Sequence, residues 1–341
     1  MGGGVDPLDV VTLDEQRSIE VFSQVTDLWE GGLPPFDRYT SPEVFHLPDI
    51  VEVGSRMHAC WLFFYGFLNR FGRTAEELGV DAREIVEKSP CLIDPLDPQS
   101  HDTSIYKPLV NIIPLAVGET HRVEWWIEAM GRLRQQYNGD PRQIFFPVNF
   151  TLSLFEQRDM LIDRMCQFPG IKHKIGQMVL GWMQETEWTD APHRDIVLWQ
   201  RSHPNSLRRI PVIAIDRWLM RLIYQLGLVT EYQSDISTAI SRELSDKLCT
   251  ICHQNNINHN HLGQALWHVG SKICNANHLG GRRQYRHVCH TLCPLKKWCN
   301  GRVPSNYKLD KPTKKRRHSA KMGWGQMVPH PPTLDDLWDD D

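Results

Sequence analysis

The chain predicts an all-α protein, and three observations carry that expectation. Apolar residues recur at helical spacing in segment after segment. No stretch alternates apolar and polar residues long enough to need a sheet. Pro, Gly and Asn stand between the periodic segments, where they stop helices. In order, helices are expected over 13–30, 55–70, 73–88, 124–137, 152–166, 174–182, 216–226, 234–252 and 261–274. A Gly-Gly-Leu-Pro-Pro-Phe link follows the first. The second crowds Trp61, Phe63, Phe64, Tyr65 and Phe67 together, and the third has Thr74 as its N-cap. Residues 90–114 read as irregular, and 187–209 as a polar insertion containing Pro192 and Pro204. No internal repeat is visible. The expected organisation is an N-terminal extension (1–52), two helical lobes (53–187 and 188–300) and a tail (301–341) that is basic, then acidic, and poorly ordered.

Composition narrows the class. Hydrophobic content of 41% and charged content of 23% are those of an ordinary globular protein. No apolar run approaches a membrane span, and the N-terminus lacks the regions of a signal peptide. Nine cysteines, an odd number, read as reduced thiols or metal ligands in a cytoplasmic, nucleoid-associated protein, nuclear if the source is eukaryotic. A monomer is expected. The net charge of −3 is segregated: five Asp lie in the last seven residues, and removing them leaves +2. Between Lys272 and Lys321 stand fourteen Lys or Arg against a single acid, Asp310. That is the electrostatic footprint of a nucleic-acid partner. The run Lys314-Lys315-Arg316-Arg317 reads as a localisation signal, a DNA arm or a merely solvated stretch.

The stretch Phe168-Pro169-Gly170-Ile171-Lys172-His173-Lys174-Ile175-Gly176 lies between two amphipathic runs. Pro169 and Gly170 cannot sit inside either helix, so the chain must go helix, tight turn, helix. Such a turn offers backbone N–H groups and the positive helix end to a phosphate; an ordinary helix connection is the plainer alternative. The stretch resembles the helix-hairpin-helix of DNA repair glycosylases, Leu-Pro-Gly-Val-Gly-x-Lys-x-Ala. It matches at Phe168, Pro169, Gly170, Ile171 and Lys174, takes Gly176 for the Ala, and departs at Lys172. The resemblance implies DNA contacts at Gly170, Lys172 and His173, and a nucleophilic amine at Lys174.

A second segment runs Ile210-Pro211-Val212-Ile213-Ala214-Ile215-Asp216 into Arg217-Trp218-Leu219-Met220-Arg221 and on to Leu226-Gly227-Leu228. By itself, Asp216 reads as a helix N-cap. The segment is similar to the family's catalytic-aspartate segment, which implies that Asp216 is the carboxylate acting on the sugar. Lys174 and Asp216 are farther apart in sequence than the family's spacing, and the 187–209 insertion accounts for the excess.

Cys274, Cys289, Cys293 and Cys299 have fourteen, three and five residues between them, with Pro294 after the third. Four close thiolates suit a cubane iron–sulfur cluster. Zinc is the competing ion, because Cys249-x2-Cys252 with His253, His259 and His261 also has ligand spacing. The family's cluster pattern, Cys-x6-Cys-x2-Cys-x5-Cys after His-x-x-Gly-x-x-x-Cys, is matched at Gly270, Cys274, Cys293 and Cys299, with the first two intervals lengthened and His268 one residue closer to the glycine than in the pattern. The resemblance implies a [4Fe-4S] cofactor and places Arg282, Arg283 and Arg286 against phosphates.

The three motifs come in the family's order, and the chain is identified as a member of the endonuclease III-like iron–sulfur DNA glycosylases. This implies two helical lobes, a flipped base between them, and a DNA glycosylase acting on double-stranded DNA that contains a modified or damaged base. A hypermodified pyrimidine of foreign DNA is one candidate, and Lys174 implies an associated abasic-site lyase. The alternative is a non-catalytic iron–sulfur or zinc DNA-binding module.

Overall fold

The computed structural model describes residues 11–34, 36, 47–68, 75–109, 122–146, 151–184, 210–232, 236–274 and 293–299. The 187–209 insertion, Cys289, Arg282, Arg283, Arg286 and the tail lie outside the described residues. What is described is helical: α1 (Glu15–Glu30), α2 (Arg56–Leu68), α3 (Ala75–Lys88), α4 (Arg122–Tyr137), α5 (Leu154–Cys166), α6 (His173–Gln184), α7 (Arg217–Gln225), α8 (Thr238–Gln254) and α9 (His259–His268). Short 3-10 turns at Pro90–Leu92, Pro98–His101 and Thr103–Tyr106 occupy the stretch expected to be irregular. Among the described residues the β content is one isolated bridge, Leu13 to Val229, and no helix is long and apolar enough to cross a membrane.

Local chemistry sets the helix starts. Asp14, Ser153, Asp216, Ser237 and Asn258 each accept a backbone N–H at a helix N-terminus, and Ser153 with Glu156 closes a full capping box. These caps put the starts of α8 and α9 at 238 and 259, against the expected 234 and 261. Past α9 the chain continues as a π-turn, Val269–Ile273, into Cys274.

Two hydrophobic cores form. The first is organised around α2, in which every residue from His58 to Leu68 is buried. A helix apolar on all sides belongs in the middle of a core. Phe64 and Trp126 lie 4.7 Å apart between ring centroids, and Trp126 donates its indole N–H to Leu92 O at 2.9 Å. Phe63 meets Phe168 edge-on at 5.0 Å, anchoring the turn after α5 in this core. Each such ring, fully buried, contributes ~1.5–3 kcal/mol of transfer free energy.

The second core joins α7, α8 and α9 to α1 and to residues 293–299. Val21, Phe22 and Val25 of α1 are fully buried in it. Asp14 N–H donates to Leu228 O at 2.9 Å, Glu30 pairs with His261 at 2.7 Å, and Arg17 donates to Trp298 O. The N-terminal helix is thus part of the core built from α7, α8 and α9. Between the cores runs the extended segment 210–215: Ile210 and Val212 are buried in the first, Ile213 and Ile215 in the second.

Candidate active site

That crossing segment delivers Asp216 to the seam between the cores. Asp216 caps α7, with Oδ1 accepting from Trp218 N at 2.8 Å and Leu219 N at 2.9 Å. Its other oxygen, Oδ2, faces Lys174 Nζ at 3.3 Å, across 42 residues of sequence. The carboxylate is 7% exposed while the lysine side chain is 47% exposed. A charge-assisted N–H···O contact closes to about 2.7–2.9 Å when held firmly. The contact here is longer, and the carboxylate keeps its backbone anchors on its other oxygen. An acceptor fixed by a helix end and a half-exposed amine beside it can exchange a proton and support nucleophilic attack by nitrogen.

Lys174 owes its place to the turn before α6. Ile171 N–H donates to Phe168 O at 3.1 Å, and Gly170 has φ of 78°. Pro169 and Gly170 therefore occupy the two central positions of a type II turn, which require a preset negative φ and then a positive one. Gly176 N–H closes on Lys172 O, making Lys172 the cap residue of α6. Among the described residues no acceptor takes the N–H groups of His173, Lys174 or Ile175. Lys172 is exposed and Gly170 half-buried.

His173 departs from its expected role. Its ring is buried, and neither ring nitrogen has a partner among the described residues. Burial first, and then the Arg242 guanidinium, pushes its pKa down, so the imidazole is neutral. A sealed neutral ring cannot hold a phosphate from its side chain. Residues 173 and 174 point to opposite sides because adjacent helical positions differ by about 100°.

Behind Asp216, α7 carries Arg221, fully buried. Its Nη2 donates to Gly270 O at 2.7 Å and its guanidinium stacks 5.0 Å from the Trp218 ring. A Cβ on Gly270 would stand 3.0 Å from Trp218 O, so a glycine permits α7 and the π-turn to approach this closely.

The π-turn leads into Cys274, which is buried together with Cys293. The hydrogen bond between these thiols, before burial, raises the pKa of Cys274, and the same bond lowers that of Cys293. The backbone N–H of Leu295 and the charge of Lys296 also favour the Cys293 thiolate, and Cys299 packs against the same core. Soft thiol donors gathered beside a buried guanidinium and a backbone donor fit iron–sulfur ligation. The described residues do not complete a ligand set: among them no group of three or more His, Cys, Asp or Glu side chains is placed to hold a metal. Cys289, the fourth expected ligand, lies outside them. Cys249 and Cys252 are buried in the second core, where burial raises both pKa values, that of Cys249 to about 12. His261 is engaged with Glu30.

Neither any protein-family model nor any curated protein matches the chain. Its chemistry has to be read from its own side chains.

A polar set went unread in the sequence. Arg158 of α5 is fully buried and pairs with Asp159 at 2.7 Å and Asp246 of α8 at 2.5 Å. Arg242 of α8 pairs with Asp159 at 3.0 Å. The signal was present as Ser241, Arg242, Ser245 and Asp246, polar positions spaced along one face of a helix that is otherwise apolar where it meets the core.

Proposed function

We propose that the chain is a DNA glycosylase with abasic-site lyase activity, of the endonuclease III-like kind. The observation that carries the reading is the contact of Lys174 Nζ with Asp216 Oδ2, at the seam of two helical lobes. Asp216 takes a proton from the Lys174 ammonium. The freed nitrogen lone pair attacks C1′ of a flipped nucleotide, and the base leaves with the electrons of the N-glycosidic bond and picks up a proton. Ring opening then gives an iminium between Lys174 and C1′, and loss of the 2′ proton expels the 3′ phosphate. Asp216 passes that proton on to the departing base, so the restored carboxylate faces the positive charge that develops on the sugar, an electrostatic arrangement suited to this transition state.

The exposed Lys172 and the uncapped N–H groups opening α6 suit a backbone phosphate. Cys274, Cys293 and Cys299, with Cys289, would hold a [4Fe-4S] cluster whose contribution is to cross-link the loop between them. The partner is duplex DNA carrying a modified base.

Borohydride reduction of the protein on a duplex with one abasic site tests the reading. A covalent adduct is expected with the wild type and none with Lys174→Ala. An adduct undiminished in Lys174→Ala removes the lysine. Tight, base-indifferent DNA binding without any adduct or base release instead favours a non-catalytic DNA-binding module.

A further inference from the structure

The Lys174 amine and the Asp216 carboxylate stand on different cores, and something must hold their separation. We propose that the polar face of α8, formed by Ser241, Arg242, Ser245 and Asp246, is a positioning device that sets the distance between these two groups. The proposal rests on the function given above and adds residues to its machinery.

The ties from this face run both ways. Toward the lysine, Ser241 Oγ donates to Gln177 Oε1 of α6 at 3.2 Å, one turn beyond Lys174. Asp246 pairs with Arg158 of α5, and Arg242 reaches Asp159 at 3.0 Å and Asp163 at 3.8 Å on the same helix. α5 feeds directly into the turn that opens α6, so these ion pairs fix the helix hairpin bearing Lys174. Toward the carboxylate, Ser245 Oγ accepts the backbone N–H of Ile213 at 3.2 Å, three residues before Asp216. One rigid helix therefore grips both arms within two turns of its own length.

Beside that polar stripe α8 is sunk in the second core through Leu244, Leu248 and Cys252, so the grip has a fixed base. Arg158 is the member that argues against simple stabilisation. Its side chain is wholly buried, and a buried ion pair generally stabilises no better than apolar residues of the same volume. What the pairs add over apolar packing is direction: a guanidinium meets its carboxylates in one register, whereas apolar surfaces slide. His173, sealed between α5 and α8 with Arg242, Asp159, Arg158 and Asp163 as its charged neighbours, contributes no polar tie and acts as filler beneath the clasp.

The test uses the full chain and a readout independent of catalysis. Lysines are reductively methylated with 13C, and the Lys174 resonance is identified by its loss in Lys174→Arg. Asp216→Asn marks where that resonance falls once the ion pair is gone. Arg242→Gln removes a half-exposed group and should fold; a second variant, Arg158→Met with Asp246→Leu, replaces charge by packing. Both are expected to move the Lys174 resonance toward the Asp216→Asn position. Borohydride trapping should slow about tenfold or more, since a displacement near 1 Å is costly at a reacting centre, with DNA affinity changed less than about threefold. Arg242→Lys should recover most of the loss. A resonance unmoved in both variants overturns the proposal, as does an equal fall of affinity and trapping. If the resonance moves but the wild type forms no adduct, α8 still positions the pair and the lyase reading is what fails.

Discussion

Asp216 does two things with two oxygens, and the division is testable. Oδ1 holds the first N–H groups of α7, whereas Oδ2 faces Lys174. Asn caps helices about as well as Asp, so Asp216→Asn should leave the urea midpoint near that of the wild type. The amide cannot take the lysine's proton, and base release should fall about 10²-fold or more, the usual worth of a positioned base. Asp216→Ala loses the cap as well and should cost about 1 kcal/mol of stability besides. Base release that survives Asp216→Asn would remove the carboxylate from the mechanism. At this scale the sequence singled out an amine and a carboxylate, Lys174 and Asp216, that the structure brings within 3.3 Å of each other. It was silent on which way His173 points. That depends on how the α6 start is rotated by the turn before it, and the rotation is fixed by Phe168 and Ile171 sinking into the first core.

Among the elements, the turn between α5 and α6 was the most legible, because Pro-Gly in that order admits few backbone paths. Its glycine is there for its φ of 78°. A side chain at a left-handed position costs about 1–2 kcal/mol, and Asn tolerates it better than Ala. Gly170→Ala is therefore expected to lower unfolding free energy by about that amount, with Gly170→Asn between it and the wild type. Abasic-DNA affinity should fall in the same order if the α6 N-terminus seats a phosphate. Equal stability for all three proteins would mean the turn relaxes and does not enforce the geometry. α8 shows the limit of reading by element. Its polar stripe is visible as a pattern, yet the partners Arg158 and Asp159 lie some eighty residues earlier, and no local periodicity pairs them.

Over the whole molecule, the packing of α1 against α7, α8 and α9 was not legible in the sequence. α1 is amphipathic and could have covered any apolar face. Its assignment to the second core comes from long-range contacts, Asp14 with Leu228 and Glu30 with His261. The crossing segment 210–215 and the α5–α8 ion pairs join the cores, so a group buried in one affects the unfolding of both. His58 is such a group. It lies fully inside the first core, accepts the Gly54 N–H on Nδ1 at 3.1 Å, and its pKa falls to about 3 through burial first and the Arg142 charge second. The unfolded imidazole titrates near 6.5. Above that pH neither state is protonated and His58 has no effect on stability. As pH falls below 6.5 only the unfolded chain takes up the proton, and stability declines by about 1.4 kcal/mol per pH unit until the folded ring titrates near 3. The buried ring should thus cost roughly 3 kcal/mol by pH 4, on top of other groups that titrate there. His58→Asn keeps an acceptor for Gly54 and has no proton to gain. Urea unfolding across pH 4–7 should show a shallower acid limb for the variant, the two curves diverging steadily below pH 6.5. Parallel curves would mean that the imidazole is reached by solvent, and that the first core opens before the molecule unfolds.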